Sequence, residues 1–279
     1  MTVRGYTCCR YGQMHYWDAA PAGKAAEATA PTLVLLHQNP SAAMEYAGLI
    51  AEMARDRRVV AFDTPGYGMS DAPPTPPSMA EYAASIGDAI EALDLAQDAP
   101  VDVFGFHTGS LLAVELALAL PDAVGRLVLS GIPMRDAADR EARYRDAVAT
   151  PLPTEDGAGI LARSAALWRY VVTERTPGVP LARAAELYAE KNRTLDRGAW
   201  AYRGVWSYDY ARLPLIAQPT LVLQPHDALL DASRAACALI PDARFVDLPG
   251  LDRDIFEIAI PQIAEALRGF LMPLPETQQ

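Results

Sequence analysis

Short apolar runs separated by stretches of helical periodicity recur along the chain from about residue 32. TLVLLH (32–37), RRVVAFD (57–63), VDVFGF (101–106), RLVLSGI (126–132), TLVLQP (220–225) and ARFVDLP (243–249) are the runs. Their near-continuous apolar character predicts strands covered on both faces, as in a parallel sheet. Strands alternating with helices point to an α/β fold with helices on both faces of that sheet. Ahead of them, YTCCRYGQMHYWDAA carries Gly12 in its middle and predicts a hairpin that adds antiparallel strands at one edge. The expectation is a mostly parallel, eight-stranded sheet.

The helices between the strands have readable starts. After the proline-rich APPTPP, Ser78 and Glu81 in SMAEY form a capping-box pattern, so a helix begins there and runs to about Leu95. IPQIAEALRGFL (260–271) has helical periodicity behind Pro261 and closes the fold; MPLPETQQ reads as a loose tail. Residues 134–213 break the alternation with helical segments alone, including LARSAALWRYVVTER and LARAAELYAEKNRT. This gives two units: a core of residues 1–133 and 214–279, and a helical cap of 134–213. The cap holds Trp168, Tyr170, Tyr188, Trp200, Tyr202, Trp206, Tyr208 and Tyr210. Aromatic side chains at this density are expected both to pack a core and to roof a ligand pocket. Trp168, Trp200, Trp206 and Tyr208 are the candidates for contact with a substrate.

Composition narrows the partners. The formal net charge of −11 argues against nucleic acid, which needs clustered Lys and Arg. No N-terminal segment joins basic residues to an apolar run, and no stretch reaches the roughly 18 apolar residues of a membrane span. A soluble, cytoplasmic protein is expected, monomeric or dimeric, with a small molecule as its partner. Cys8, Cys9 and Cys237 are too few and too oddly placed for a disulfide framework or a zinc site. No HExxH, CxxC, dinucleotide or phosphate-loop pattern occurs, so the chemistry is expected to need no metal or cofactor.

The candidate chemistry centres on VDVFGFHTGS, where an apolar strand breaks on Gly105, His107 and Gly109 ahead of the apolar LLAVELALAL. With serine at 107 this would be the GxSxG turn that presents a nucleophile. HQNPSAAMEY follows the third strand and DTPGYGMSD the fourth. On these stretches the chain resembles the α/β-hydrolase superfamily over nearly its whole length. The resemblance implies an elbow at His107, an acid at Asp227 in QPHDALLD, and Arg253 of PGLDRDIFE where the family carries its catalytic histidine. It also implies oxyanion donors at Thr108 and at Gln38 or Asn39. His37 is expected to hold the HQNP loop and to lie near the substrate, while His226, His15, Asp63 and Asp71 read as structural.

Neither serine nor base stands in its family position, so ordinary serine acyl-enzyme turnover is not expected. Ser110 and Thr108 are weaker nucleophile candidates. An Arg253–Asp227 salt bridge would leave His107 neutral beside a fixed cation. His107 would then act as a general base or water activator on a small or medium carbonyl compound, an ester, a lactone or an enolisable ketone or acid. Lyase, isomerase or cyclase chemistry with Arg253 as an anion clamp is the alternative, as is an acyl-imidazole at His107. The competing class is a ligand receptor that keeps the pocket and has lost the chemistry.

Overall fold

The computed structural model describes residues 1–21, 30–150, 152–194 and 196–272. The tail from residue 273 lies outside them. Strands β1 (Val3–Cys9) and β2 (Gly12–Ala19) form the N-terminal hairpin, and Gly12 takes the positive φ of 115° at its turn. β3 (Leu33–Leu36), β4 (Val59–Phe62), β5 (Val101–Phe106), β6 (Val124–Ser130), β7 (Thr220–Pro225) and β8 (Ala243–Leu248) complete one sheet. Its order is β1-β2-β4-β3-β5-β6-β7-β8. β2 pairs antiparallel with β1 and β4, and every pairing from β4 to β8 is parallel.

Helices cover both faces, which is why the central strands can be apolar throughout. The helices are α1 (Ala47–Met53), α2 (Met79–Ala92), α3 (Thr108–Ala119), α4 (Ala137–Val148), α5 (Ala158–Trp168), α6 (Leu181–Asn192), α7 (Trp200–Trp206), α8 (Leu230–Cys237), α9 (Ile255–Ile258) and α10 (Ile260–Leu271). One core layer packs Tyr82 and Ile86 of α2 and Leu112 and Leu116 of α3 against the sheet. The other packs Leu49 of α1 and Ile263 and Leu267 of α10 against its opposite face.

α4 to α7 lie between β6 and β7, and no strand occurs there among the described residues. The segment is tied to the core near its end, where Tyr208 Oη and the Arg212 guanidinium donate to Glu115 of α3 at 2.8 and 2.9 Å. Two expectations change in detail. α2 stops at Ala92 rather than at Leu95. β8 is an edge strand with three exposed residues and none fully buried, not a strand covered on both faces.

Candidate active site

The site forms where β5 turns into α3, at the C-terminal ends of the parallel strands. The turn is crowded: a Cβ on Gly105 would stand 2.1 Å from the Gly109 carbonyl oxygen, and one on Gly109 would stand 2.0 Å from that of Leu36. His107 takes φ 50° and ψ −112°, a conformation non-glycine residues rarely adopt. Its N–H donates to the Ser130 carbonyl at 2.7 Å, and its own carbonyl accepts from Ser110 N at 2.9 Å and Ser110 Oγ at 2.6 Å. Ser110 is wholly buried and so bonded, which removes it as a nucleophile.

The His107 side chain is 31% exposed, enough to meet a ligand. Phe106 backs the ring at a centroid distance of 4.1 Å. On another side lies Gly131 at φ 69°, where a Cβ would come within 2.1 Å of His107 Cδ2. Asp227, just past β7, brings its Oδ2 to 3.3 Å from His107 Nε2. The contact is close enough for an ion pair but lacks hydrogen-bond alignment. Asp227 Oδ1 is held by the Leu229 N–H and Gln224 Nε2, both at 2.8 Å. Gln224 Oε1 in turn accepts from Gly131 N at 2.8 Å, so this buried amide joins the loops that flank the imidazole. Sequence reasoning passed over Gln224; a polar residue in the last turns of an apolar strand was its only signal.

Arg253 departs from expectation. Its guanidinium donates to the Tyr170 carbonyl, lies 4.1 Å over the Tyr170 ring and reaches Asp254 Oδ2 at 3.6 Å. No Arg253–Asp227 salt bridge forms, because the carbonyl and aromatic face of Tyr170 capture the cation and Asp227 is engaged by Gln224, Leu229 and His107. The charged neighbour of the His107 ring is therefore a carboxylate, not a guanidinium.

The HQNP loop is held from beneath. His37 is wholly buried; Thr64 N donates to its Nε2 at 2.9 Å, which leaves the proton on Nδ1 to donate to the Gln38 carbonyl at 2.5 Å. It supports the loop and does not reach the cavity wall, which corrects its assignment to substrate. Gln38 donates from its backbone N at 3.1 Å and from Nε2 at 3.0 Å to the buried Glu45, which also accepts from Ser41 Oγ at 2.8 Å. Of the expected oxyanion donors, the Gln38 N–H is thus already engaged. Thr108, as the first residue of α3, has an N–H with no acceptor inside its own helix, the residue four back being in β5. Asn39 is buried, and both its side-chain polar atoms lack a partner among the described residues.

These groups face a cavity of about 200 Å³ lined by Gln38, Glu45, His107, Lys191, Asp227 and Arg253 among others, with Tyr170 and Leu187 contributed by the inserted segment. The aromatic residues expected there lie elsewhere. Trp168 is exposed and meets Tyr188 edge-on, Trp206 stacks on Tyr202, Tyr208 is buried on Glu115, and Trp200 is off the cavity wall. Aromatics at helical spacing pack against each other here. The cavity residue that sequence reasoning missed is Lys191, on α6. Burial pulls its amine below the ordinary lysine range, against the opposing fields of Glu45, Asp254 and Glu190.

The remaining candidates are structural. Burial alone would raise the Asp63 carboxyl, yet His15 at 2.7 Å, nearby His37 and the N–H groups of Met69 and Ala43 hold it below its usual range. Asp71 accepts from Gln13 N, and His226 pairs with Asp247 at 3.0 Å on the surface. No cluster of three or more metal-ligating side chains occurs among the described residues, and no helix there is long and apolar enough to cross a membrane.

With this geometry in place, comparison with known proteins gives the class. The family model for the alpha/beta hydrolase fold matches residues 31–257, and the chain belongs to that family. It is similar to (E)-2-((N-methylformamido)methylene)succinate hydrolase of Acinetobacter baylyi, 31% identical over 39% of this chain and 41% of that protein. It is also similar to haloalkane dehalogenase of Mycolicibacterium paratuberculosis, 30% identical over 42% of this chain and 37% of that one. The matched stretches thus span less than half the length of these relatives, and 28% of an uncharacterized protein of Mycobacterium tuberculosis. Among solved structures, the enol-lactonase from Burkholderia xenovorans LB400 superposes with a TM-score of 0.76 at 20% identity, covering 96% of this chain and 99% of that one. That likeness shows the shared fold.

Proposed function

We propose that the chain is an enzyme that moves a proton on a small carbonyl compound, with His107 as the base and Asp227 as the carboxylate that orients it. The observation that carries this reading is an imidazole held at positive φ on a cavity wall, with Nε2 at 3.3 Å from Asp227. A carboxylate facing Nε2 favours the tautomer with the proton on that nitrogen, which leaves Nδ1 as the acceptor. As Nδ1 takes a proton from a bound water or from the carbon beside the carbonyl, Asp227 offsets the charge that forms on the ring. Water as the proton source gives hydrolysis of an ester or lactone; carbon gives enolisation. The Thr108 N–H and Asn39 receive the charge that develops on the carbonyl oxygen. Tyr170, Leu187 and Lys191 make the inserted helices a cap over the reacting groups.

A panel of esters, lactones, 1,3-diketones and enolisable acids tests this. Turnover of a member is expected to fall about 100- to 10,000-fold in His107→Ala. Unchanged turnover in that variant would remove His107 from the mechanism. Ligand-induced thermal stabilisation with no product from any compound would identify a receptor instead.

A further inference from the structure

Of the 24 basic residues in the chain only two are lysines, Lys24 and Lys191. Lys191 stands in the last turn of α6 and lines the His107 cavity. Its Nζ donates to the Pro40 carbonyl at 3.2 Å, and no carboxylate among the described residues makes an ion pair with it. The nearest acidic groups are engaged elsewhere: Glu45 by Gln38 and Ser41, Asp254 by the Thr176 N–H, Glu190 by Arg193. The half-buried ammonium thus meets one backbone carbonyl and no carboxylate, a setting that favours the neutral amine more than bulk water does. Arginine could not serve, because its guanidinium does not lose a proton in proteins.

We propose that Lys191 is an amine nucleophile that forms an imine with an aldehyde or ketone bound in this cavity. The inference rests on the carbonyl-compound reading and narrows it to aldehydes and ketones, including 1,3-diketones. Nζ attacks the carbonyl carbon, a C–N bond forms, and the π pair moves to oxygen, which takes a proton. The nitrogen loses a proton, the hydroxyl leaves as water after taking another, the C–O bond breaks as a protonated C=N forms, and release of the remaining N–H proton gives the imine. One amine and one carbonyl give one imine and one water, with His107 carrying the protons. The C=N bond, once protonated, draws electrons from the neighbouring carbon and so weakens bonds there.

Reductive trapping tests the inference in the full chain. Acetone and sodium borohydride are added to the wild-type protein with Nα-acetyl-lysine amide as internal reference, and isopropyl groups are located by peptide mass mapping. Lys191 is expected to be labelled at least about tenfold faster than the reference at neutral pH, because the cavity holds acetone against the amine and His107 carries the protons. Lys191→Arg should lose that label while keeping the wild-type melting curve, and His107→Ala should slow labelling. A rate at Lys191 equal to or below the reference overturns the inference. Panel turnover that depends on His107 without label at Lys191 rejects the imine and leaves the proposed function standing. Rapid labelling in a chain that converts no panel compound rejects that function and keeps the amine.

Discussion

At the scale of single residues, position 107 combines strain with exposure. Holding a side chain at φ 50°, ψ −112° costs on the order of 1–3 kcal/mol, which the packed turn around Gly105 and Gly109 sustains. Alanine is ordinarily the more stabilising residue, because glycine loses more chain entropy on folding. Here the order should reverse: His107→Gly is expected to be more stable than His107→Ala by about 1 kcal/mol. Urea unfolding of the two variants decides it, and an alanine variant of equal or greater stability would show that the elbow stores no strain. Gly131 carries a second test, since a Cβ there would meet the imidazole at 2.1 Å. Gly131→Ala should displace the ring and cut turnover by about 100-fold, through misplaced geometry rather than altered chemistry. Wild-type turnover in that variant would mean that the ring's position does not matter.

Among the elements, α2 and α10 were the most legible, because their signals are local. Ser78 Oγ accepts from the Glu81 N–H at 3.3 Å while Glu81 Oε2 accepts from the Ser78 N–H at 2.8 Å, and Pro261 sits at the start of α10. Ser78→Ala should destabilise the protein by about 1 kcal/mol by denaturant midpoint; a change near zero would mean that the proline-rich approach fixes the helix start without the cap. β8 forms where expected, but its exposure was not foreseen, because an apolar run does not say whether helices cover both faces of a strand at the sheet's edge. The aromatics of the inserted segment were misjudged for a similar reason. Helical spacing placed Trp168 and Trp206 on helices but could not say which neighbour each meets, and Tyr188 and Tyr202 pack on them, while Tyr208 lies past α7 and bonds Glu115.

In the whole molecule, topology explains why His107 and Asp227 could be assigned to one site from sequence, whereas the partner of Arg253 and the presence of Lys191 could not. The first two follow β5 and β7, parallel strands separated only by β6, so the sheet alone brings their loops to one end. The other two depend on how the inserted segment lies over that end, which no linear pattern records. The opposite end of the sheet holds a different feature. Arg57, ahead of β4, and Asp102, at the start of β5, form a wholly buried pair at 3.2 Å. Arg57 Nη2 and Asp102 Oδ1 have no partner among the described residues. Desolvation outweighs the attraction of Arg57 and Arg126 and raises the Asp102 carboxyl to about 6 from its ordinary 3.8. Between those two values the folded chain holds a proton that the unfolded chain has released, so this group's contribution falls as pH rises. The loss is complete above the folded value and amounts to about 3 kcal/mol. Asp102→Asn cannot titrate, whatever it does to stability at one pH. The stability of wild type relative to that variant should therefore fall by about 2 kcal/mol of that total from about pH 4 to about pH 7, read from urea unfolding across the range. A difference that stays constant, or one that moves in favour of wild type, would show that the ion pair with Arg57 outweighs burial and keeps Asp102 charged.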